Sequence, residues 1–450
     1  MTMPDGPPTD RAPASHGGPL PAAADVVVIG GGIAGVTAAW HAAATGHRTV
    51  LLEKGRVAGE QSSRNWGWIR QQGRDPAELP LMVEANRLWR ELPARAEANL
   101  GLHRTGTAYL IRKPADRARY KAWMPHAEAH GLDTRLLTRA ETEALIRGGA
   151  GRWDGALWTA SDMRAEPWVA VPALARAAVR DGVTLRESCA VRALDIAGGK
   201  VAGVVTEAGR IAAPRVILAG GAWSGLFLRA HGVTLPQLSV RATVAATEPM
   251  AEIFDGQAAD DRIAFRRRAD GGYTLAASGD HDLFVGPDAV RHLRAFLPQL
   301  AADPLGTTFR PAAPRDWPDG WSTPRRWAPD RESPFERMRV LDPSPNPRRL
   351  KIIARRFADA FPELGPVRFR RAWAGLIDTM PDLLPVIDRV AGLPGLVVAT
   401  GLSGHGFGIG PAVGRVAADL ALDRAPGHDL AAFRLSRFAA GAPTPSPAHL

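Results

Sequence analysis

The run Val-Val-Val-Ile-Gly-Gly-Gly-Ile-Ala-Gly at residues 26–35 constrains this chain more than any other segment. Four branched apolar residues followed by closely spaced glycines read as a buried parallel strand, a tight turn and the start of a helix. Gly30 allows the turn, Gly32 lets the backbone approach a pyrophosphate, and Gly35 lets the helix pack on the strand. Ile33 and Ala34 open that helix, whose N-terminus offers free N–H groups to an anion. An Ala-rich helix from about Val36 to Ala44 closes at Gly46, and a second strand runs from Arg48 to Leu52. Glu53 then stands 18 positions beyond Gly35, close to the roughly 20 at which a carboxylate meets a ribose hydroxyl. Lys54 adjoins it. The expectation is a dinucleotide-binding βαβ unit.

Composition narrows the classes around that unit. With 450 residues, 45% of them hydrophobic, the chain is long enough for two domains with sizeable cores. Its 56 basic against 46 acidic residues give a net charge of +10. The charges are dispersed, with no basic tail and no nucleic-acid module, so the surplus reads as a solvated surface that attracts anionic substrates, not as a nucleic-acid interface. One cysteine, Cys189, excludes an internal disulfide and any cysteine metal cluster, no metal is expected, and a cytoplasmic location is. No apolar run of 18 residues occurs, so no membrane span is expected. Residues 1–24, rich in Pro, Gly and Ala, read as a flexible tail, and 431–450 as a C-terminal tail.

Segments suited to the nucleotide unit recur far apart. They divide the chain into a discontinuous cofactor domain (25–100, 165–235 and 385–430) and a substrate domain (101–164 and 236–384). An amphipathic helix over 78–100 is expected to bend at Pro93, and Thr138 caps a short helix. Paired strands are expected near 190–197 and 200–206, with others at 238–247 and 262–277. Residues 311–348, with many prolines and Trp317, Trp321 and Trp327, read as an irregular insertion in the second domain. A glycine-dense turn at 401–410 precedes a helix from Pro411 to Leu422.

Four segments in this order, VVVIGGGIAG with LLEK, SSRNWGWIR, VILAGGAWS, and RAWAGLIDTMPDLLPVID with TGLSGHGFGIGPAVG, resemble one family. It is the DAO family of FAD-dependent oxidases and dehydrogenases of amines and amino acids, which includes D-amino-acid oxidase, glycine oxidase and sarcosine oxidase. The resemblance covers about residues 25–425. It implies an α/β fold (α+β overall), with a Rossmann-type FAD-binding domain and a second, mixed or antiparallel substrate sheet. By the same resemblance Gly30, Gly32 and Gly35 cradle the FAD pyrophosphate and Glu53 holds the adenosine ribose. Ser62, Ser63, Arg64, Asn65, Trp66 and Gly67 lie along the pyrophosphate and flavin edge. Val191 meets the adenine, Gly220 and Trp223 pass under the nucleotide, and the turn Gly404-His405-Gly406-Phe407-Gly408 faces the flavin pyrimidine. His405 is assigned to cofactor binding, not proton transfer.

Arg70 matches the arginine that grips the substrate carboxylate in sarcosine oxidase, a role suited to a planar fork that is always charged. Trp66, Trp68, Tyr273 and Trp373 are candidates for aromatic walls, with Tyr273 and Trp373 placed beside Arg70 as catalytic candidates. Gly375 stands where sarcosine oxidase has the cysteine that anchors FAD, so the resemblance implies noncovalent FAD. Ile377 replaces the carboxylate-binding arginine of glycine oxidase, and Gly408 replaces a lysine of sarcosine oxidase. Thr274 stands where that enzyme has a lysine that promotes reaction with oxygen. The implied reaction is hydride transfer from an amine or amino-acid substrate to flavin N5, then hydrolysis of the imine, with oxygen or a quinone or protein as electron acceptor. Two other readings stay open: a flavoprotein relay or assembly subunit without amine turnover, and an aromatic hydroxylase, whose late Gly-Asp motif is absent here.

Overall fold

A computed structural model gives the fold and describes residues 4, 6–149, 151–279, 281–303 and 306–439. The opening run forms strand β1 (Val26–Ile29), helix α1 (Ile33–Ala44) and strand β2 (Thr49–Leu52), as its pattern predicts. Alternation along β1 explains its composition. Val26 and Val28 join one apolar core while Val27 joins another, so the strand is buried on both faces and needs branched apolar residues throughout.

A six-stranded sheet grows around β1 in the order Val386–Arg389, Leu396–Thr400, Val216–Leu218, β1, β2, Thr184–Arg186. All its pairings are parallel except that of the edge strand Val386–Arg389. One face is covered by α1, by Leu79–Ala96, by Pro167–Arg180 and by the last helix, Gly406–Ala421. The opposite face carries an antiparallel three-stranded sheet, Val191–Ala197, Lys200–Thr206 and Gly209–Ala212. The helix Leu79–Ala96 holds Pro93 in its last turn and ends where Glu97 turns left-handed (φ 52°).

The second layer is a ten-stranded, mainly antiparallel sheet with two parallel pairings, Thr107–Ile111 with Gln257–Ala259 and His281–Phe284 with Thr307–Arg310. Its long strands Leu238–Thr247 and Phe369–Thr379 pair in register from Leu238 opposite Thr379 to Ala246 opposite Arg371. Phe369–Thr379 runs back toward the first sheet, and its C-terminal end delivers Gly375 to Thr379 to the space between the two sheets. Thr138 caps Arg139–Leu145 and completes a capping box with Glu141.

Four expectations change. Residues 12–23 are docked: Ser15 and His16 donate backbone N–H groups to Glu187, Arg56 Nε bonds Ala12 O, and Ala23 bridges Ala212. This segment runs along the nucleotide unit because charged side chains capture its free backbone groups. The 311–348 segment packs against both layers: Trp317 meets Phe284 and Asn346 bonds Thr243 and Asp282 on the second sheet. Trp317, Phe335 and Leu341 are buried in one core with Trp223 and Phe227, and Arg339 pairs with Glu207. The last helix starts at Gly406, five residues before Pro411, so Pro411 lies inside the helix and forgoes the hydrogen bond that a backbone N–H would give to Phe407 O. Of the expected C-terminal tail, residues 440–450 lie outside the described residues, whereas Phe433 is buried and Arg437 pairs with Asp382. Among the described residues no helix is long and apolar enough to cross a membrane.

Candidate active site

The space between the layers is a cavity of about 1360 Å³, larger than the roughly 300–1,000 Å³ that holds an ordinary small ligand. One end is the cradle at the tip of β1. Gly30 has φ 111°, and a Cβ there would lie 2.4 Å from Ala219 O. A Cβ on Gly35 would lie 1.9 Å from Gly30 O, so α1 can approach β1 only with glycine at that position. Gly32, Ile33 and Ala34 line the cavity and aim the free N-terminus of α1 into it. That N-terminus already has one acceptor, Ser62 Oγ, 2.9 Å from Ile33 N.

Glu53, at the end of β2, folds back over this turn. Its Oε2 accepts the Gly31 N–H at 2.6 Å and its Oε1 that of Gly55 at 2.7 Å. Burial raises its pKa, against the pull of Lys54 and these two N–H groups. Lys54 donates to Glu60 Oε1 (2.6 Å), Met338 O and Arg339 O, and lies 4.3 Å from the centre of the Trp223 ring. Trp223 Nε1 donates to both Glu60 oxygens, which fixes the indole along the wall shared with Val191 and Gly220.

The short helix α2 (Gln61–Arg64) carries the next part. Arg64 is buried; its Nε bonds Gly59 O and its Nη1 bonds Asp342 (2.6 Å) and Ala374 O. It also occupies the space above Gly375, where a Cβ would come within 2.8 Å of Arg64 Cβ. Asn65 Oδ1 accepts the Gly67 N–H, and Trp66 stands edge-on to Trp68 at 5.4 Å.

Elsewhere on the cavity wall Arg70 lies 5.2 Å from the Tyr109 ring centre and donates to Gln72 O. Gly404, His405, Gly406 and Phe407, at the start of the last helix, also line the cavity. His405 Nε2 is 2.7 Å from Glu78 Oε1; burial lowers the imidazole pKa and Glu78 opposes that shift.

The cavity therefore unites most of the residues that the sequence nominated, but not all. Ser63 supports from behind, its carbonyl accepting Trp168 Nε1 at 2.6 Å. Gly67 (φ 78°) leaves room for Ala165 O, and Gly408 packs on Trp68 O. Tyr273 and Trp373 are corrected. Tyr273 is buried among Phe265, Phe357 and Phe361, and its hydroxyl donates to Phe254 O. Trp373 packs on Trp168 at 5.1 Å and donates to Arg64 O. Both point away from the cavity because side chains alternate across a strand. Thr274 also lies off the cavity, bonded to Arg266.

Sequence reading missed Glu60, Gln61, Arg74, Tyr109, Tyr120 and Asp378, all of which line the cavity. Glu60 and Gln61 adjoin the SSRNWGWIR segment and could have been taken with it. The others come from elements whose convergence only the fold reveals. The residues fit a bound dinucleotide on structural grounds: a cradle without side chains, an open helix N-terminus, and a buried carboxyl oxygen, Asp378 Oδ1, without a partner among the described residues.

Comparison with known proteins agrees. Residues 25–420 match the family described as DAO, FAD dependent oxidoreductase. The solved structure of L-amino acid deaminase from Proteus myxofaciens in complex with anthranilate superposes with a TM-score of 0.90 at 31% identity, covering 96% of this chain and 98% of that one. Sarcosine oxidase subunit beta of Rhizobium meliloti is 24% identical over 93% of this chain and 89% of its own length. Human mitochondrial sarcosine dehydrogenase is 30% identical over 51% of this chain, and the match spans only 26% of that longer protein. The chain belongs to the DAO family of FAD-dependent oxidoreductases.

Proposed function

We propose that this chain oxidises an amino acid, or a related primary or secondary amine carrying a carboxylate, with noncovalently held FAD. The observation that carries the reading is that Arg70 lines the same cavity as the dinucleotide cradle, together with Trp66, Trp68 and Tyr109. Bound FAD supplies the two-electron acceptor for the amine carbon. The chain supplies the rest. Arg70 holds the carboxylate and so fixes which C–H bond faces the cofactor, while the aromatic wall keeps water away. The open N–H groups of the last helix favour negative charge where the flavin pyrimidine would lie, and His405, kept below its usual pKa, adds no permanent cation there.

Noncovalent attachment is supported by Gly375, which offers no nucleophile, and by Cys189, a buried thiol whose pKa is raised by burial. Electrons then leave to oxygen or to a quinone or protein acceptor. Acid precipitation tests attachment: yellow supernatant over colourless protein supports it, and colour retained in the pellet contradicts it. Assay of the carbonyl product and the released amine or ammonia tests the reaction.

A further inference from the structure

Arg74 is only 3% exposed, yet it lines the cavity and forms no ion pair among the described residues. Its Nε donates to Arg70 O at 3.3 Å, four residues back, so the turn after Trp68–Ile69 sets both guanidinium groups at the same end of the cavity. Arg70 likewise forms no ion pair among the described residues. Buried arginines are ordinarily paired, and leaving such a charge without a counter-ion is costly. The acids nearest the pair hydrogen-bond to other groups, Glu78 to His405 and Asp162 to the backbone and side chain of Gln71, and act on Arg74 without a direct ion pair among the described residues. Arg119, also at the wall, is half exposed and stands 3.9 Å from Asp116. Burial first, then the nearby Arg70, lowers the pKa of Arg74 to about 9, while Glu78 and Asp162 oppose that shift.

We infer that Arg70 and Arg74 each take one carboxylate and that the preferred amine substrate is dicarboxylic. The inference rests on the amine-oxidase reading and deepens it. Tyr109, beside Arg70 and 6.0 Å from Tyr120, offers an apolar face of the cavity to the carbon chain between the two carboxylates.

The test compares glutamate with glutamine and aspartate with asparagine, in both stereochemical forms, on wild-type holoenzyme and on Arg74→Leu and Arg74→Lys. Wild type is expected to favour the diacid at least tenfold in kcat/KM, the effect of one charged hydrogen bond of roughly 1.5 kcal/mol or more. Arg74→Leu should erase that preference through KM, Arg74→Lys should restore part of it, and FAD content should stay constant. Equal use of both classes by wild type, equal losses of both in Arg74→Leu, or loss of flavin from that variant would overturn the inference. If no amine is turned over, the amine-oxidase reading fails separately. Glutarate binding, read as a flavin spectral shift, then decides the arginine pair: a shift in wild type that vanishes in Arg74→Leu supports it, and a shift in both or in neither contradicts it.

Discussion

Glu53 Oε2 accepts the Gly31 N–H at 2.6 Å, so the acid at the end of β2 is locked onto the glycine turn at the end of β1. One side chain thus shapes the turn and presents a buried carboxylate beside it. Glu53→Gln keeps the shape but weakens a charged hydrogen bond worth roughly 1.5–3 kcal/mol. FAD affinity of the apoprotein, titrated by flavin fluorescence, should fall about tenfold or more. Unchanged affinity would remove Glu53 from the cofactor site.

The cradle glycines should separate by role. Gly35→Ala drives a methyl group into Gly30 O, so it should lower thermal stability as well as flavin content. A Cβ on Gly32 meets only Ser62 Oγ, at 3.1 Å, so Gly32→Val should lose flavin with little change in the far-UV spectrum. Equal loss of fold in both variants would contradict this division.

These glycines show where sequence was sufficient. Strand, turn, helix and acid lie within one local stretch, and their steric demands can be read from residue type alone. Thr138, with Glu141 three residues on, declared its helix start in the same way. Tyr273 and Trp373 failed because aromatic residues near a motif suit a core as well as a cavity, and a strand's facing depends on its partners. Arg74 and Asp378 were invisible because their roles arise from burial, which brings together parts of the chain far apart in sequence. The 311–348 segment carried no regular pattern, and its place was set by Trp317, Phe335 and Leu341 finding the apolar face beside Trp223.

Arg70→Ala should raise KM for a carboxylate substrate by about tenfold to a hundredfold, as for loss of a charged hydrogen bond, while FAD content stays constant. Steady-state kinetics with flavin quantified per protein checks this. Unaltered KM would take Arg70 out of the substrate site.

Asp378 makes apoprotein stability depend on pH. Its Oδ2 accepts the Gly401 N–H at 3.0 Å and Gln237 Nε2 at 3.2 Å, and burial raises its pKa to about 7. An unfolded aspartate titrates near pH ~4, so the unfolded chain ionises first as pH rises. Stability should therefore fall between about pH 4 and 7 by a few kcal/mol, then level off. Urea unfolding of Asp378→Asn across this range should lack that component. An identical slope in variant and wild type would assign the pH dependence to other groups.

The central claim, that one cavity holds both FAD and an amine carboxylate, is tested most directly by anaerobic spectral titration of the yellow protein. The panel comprises D- and L-amino acids, N-methyl amino acids and amines without a carboxylate. The account predicts that the flavin band is bleached by carboxylate-bearing amines and not by the others, and that Arg70→Ala requires far higher concentrations for the same bleaching. Bleaching by amines regardless of a carboxylate, or by none of the panel, would contradict it.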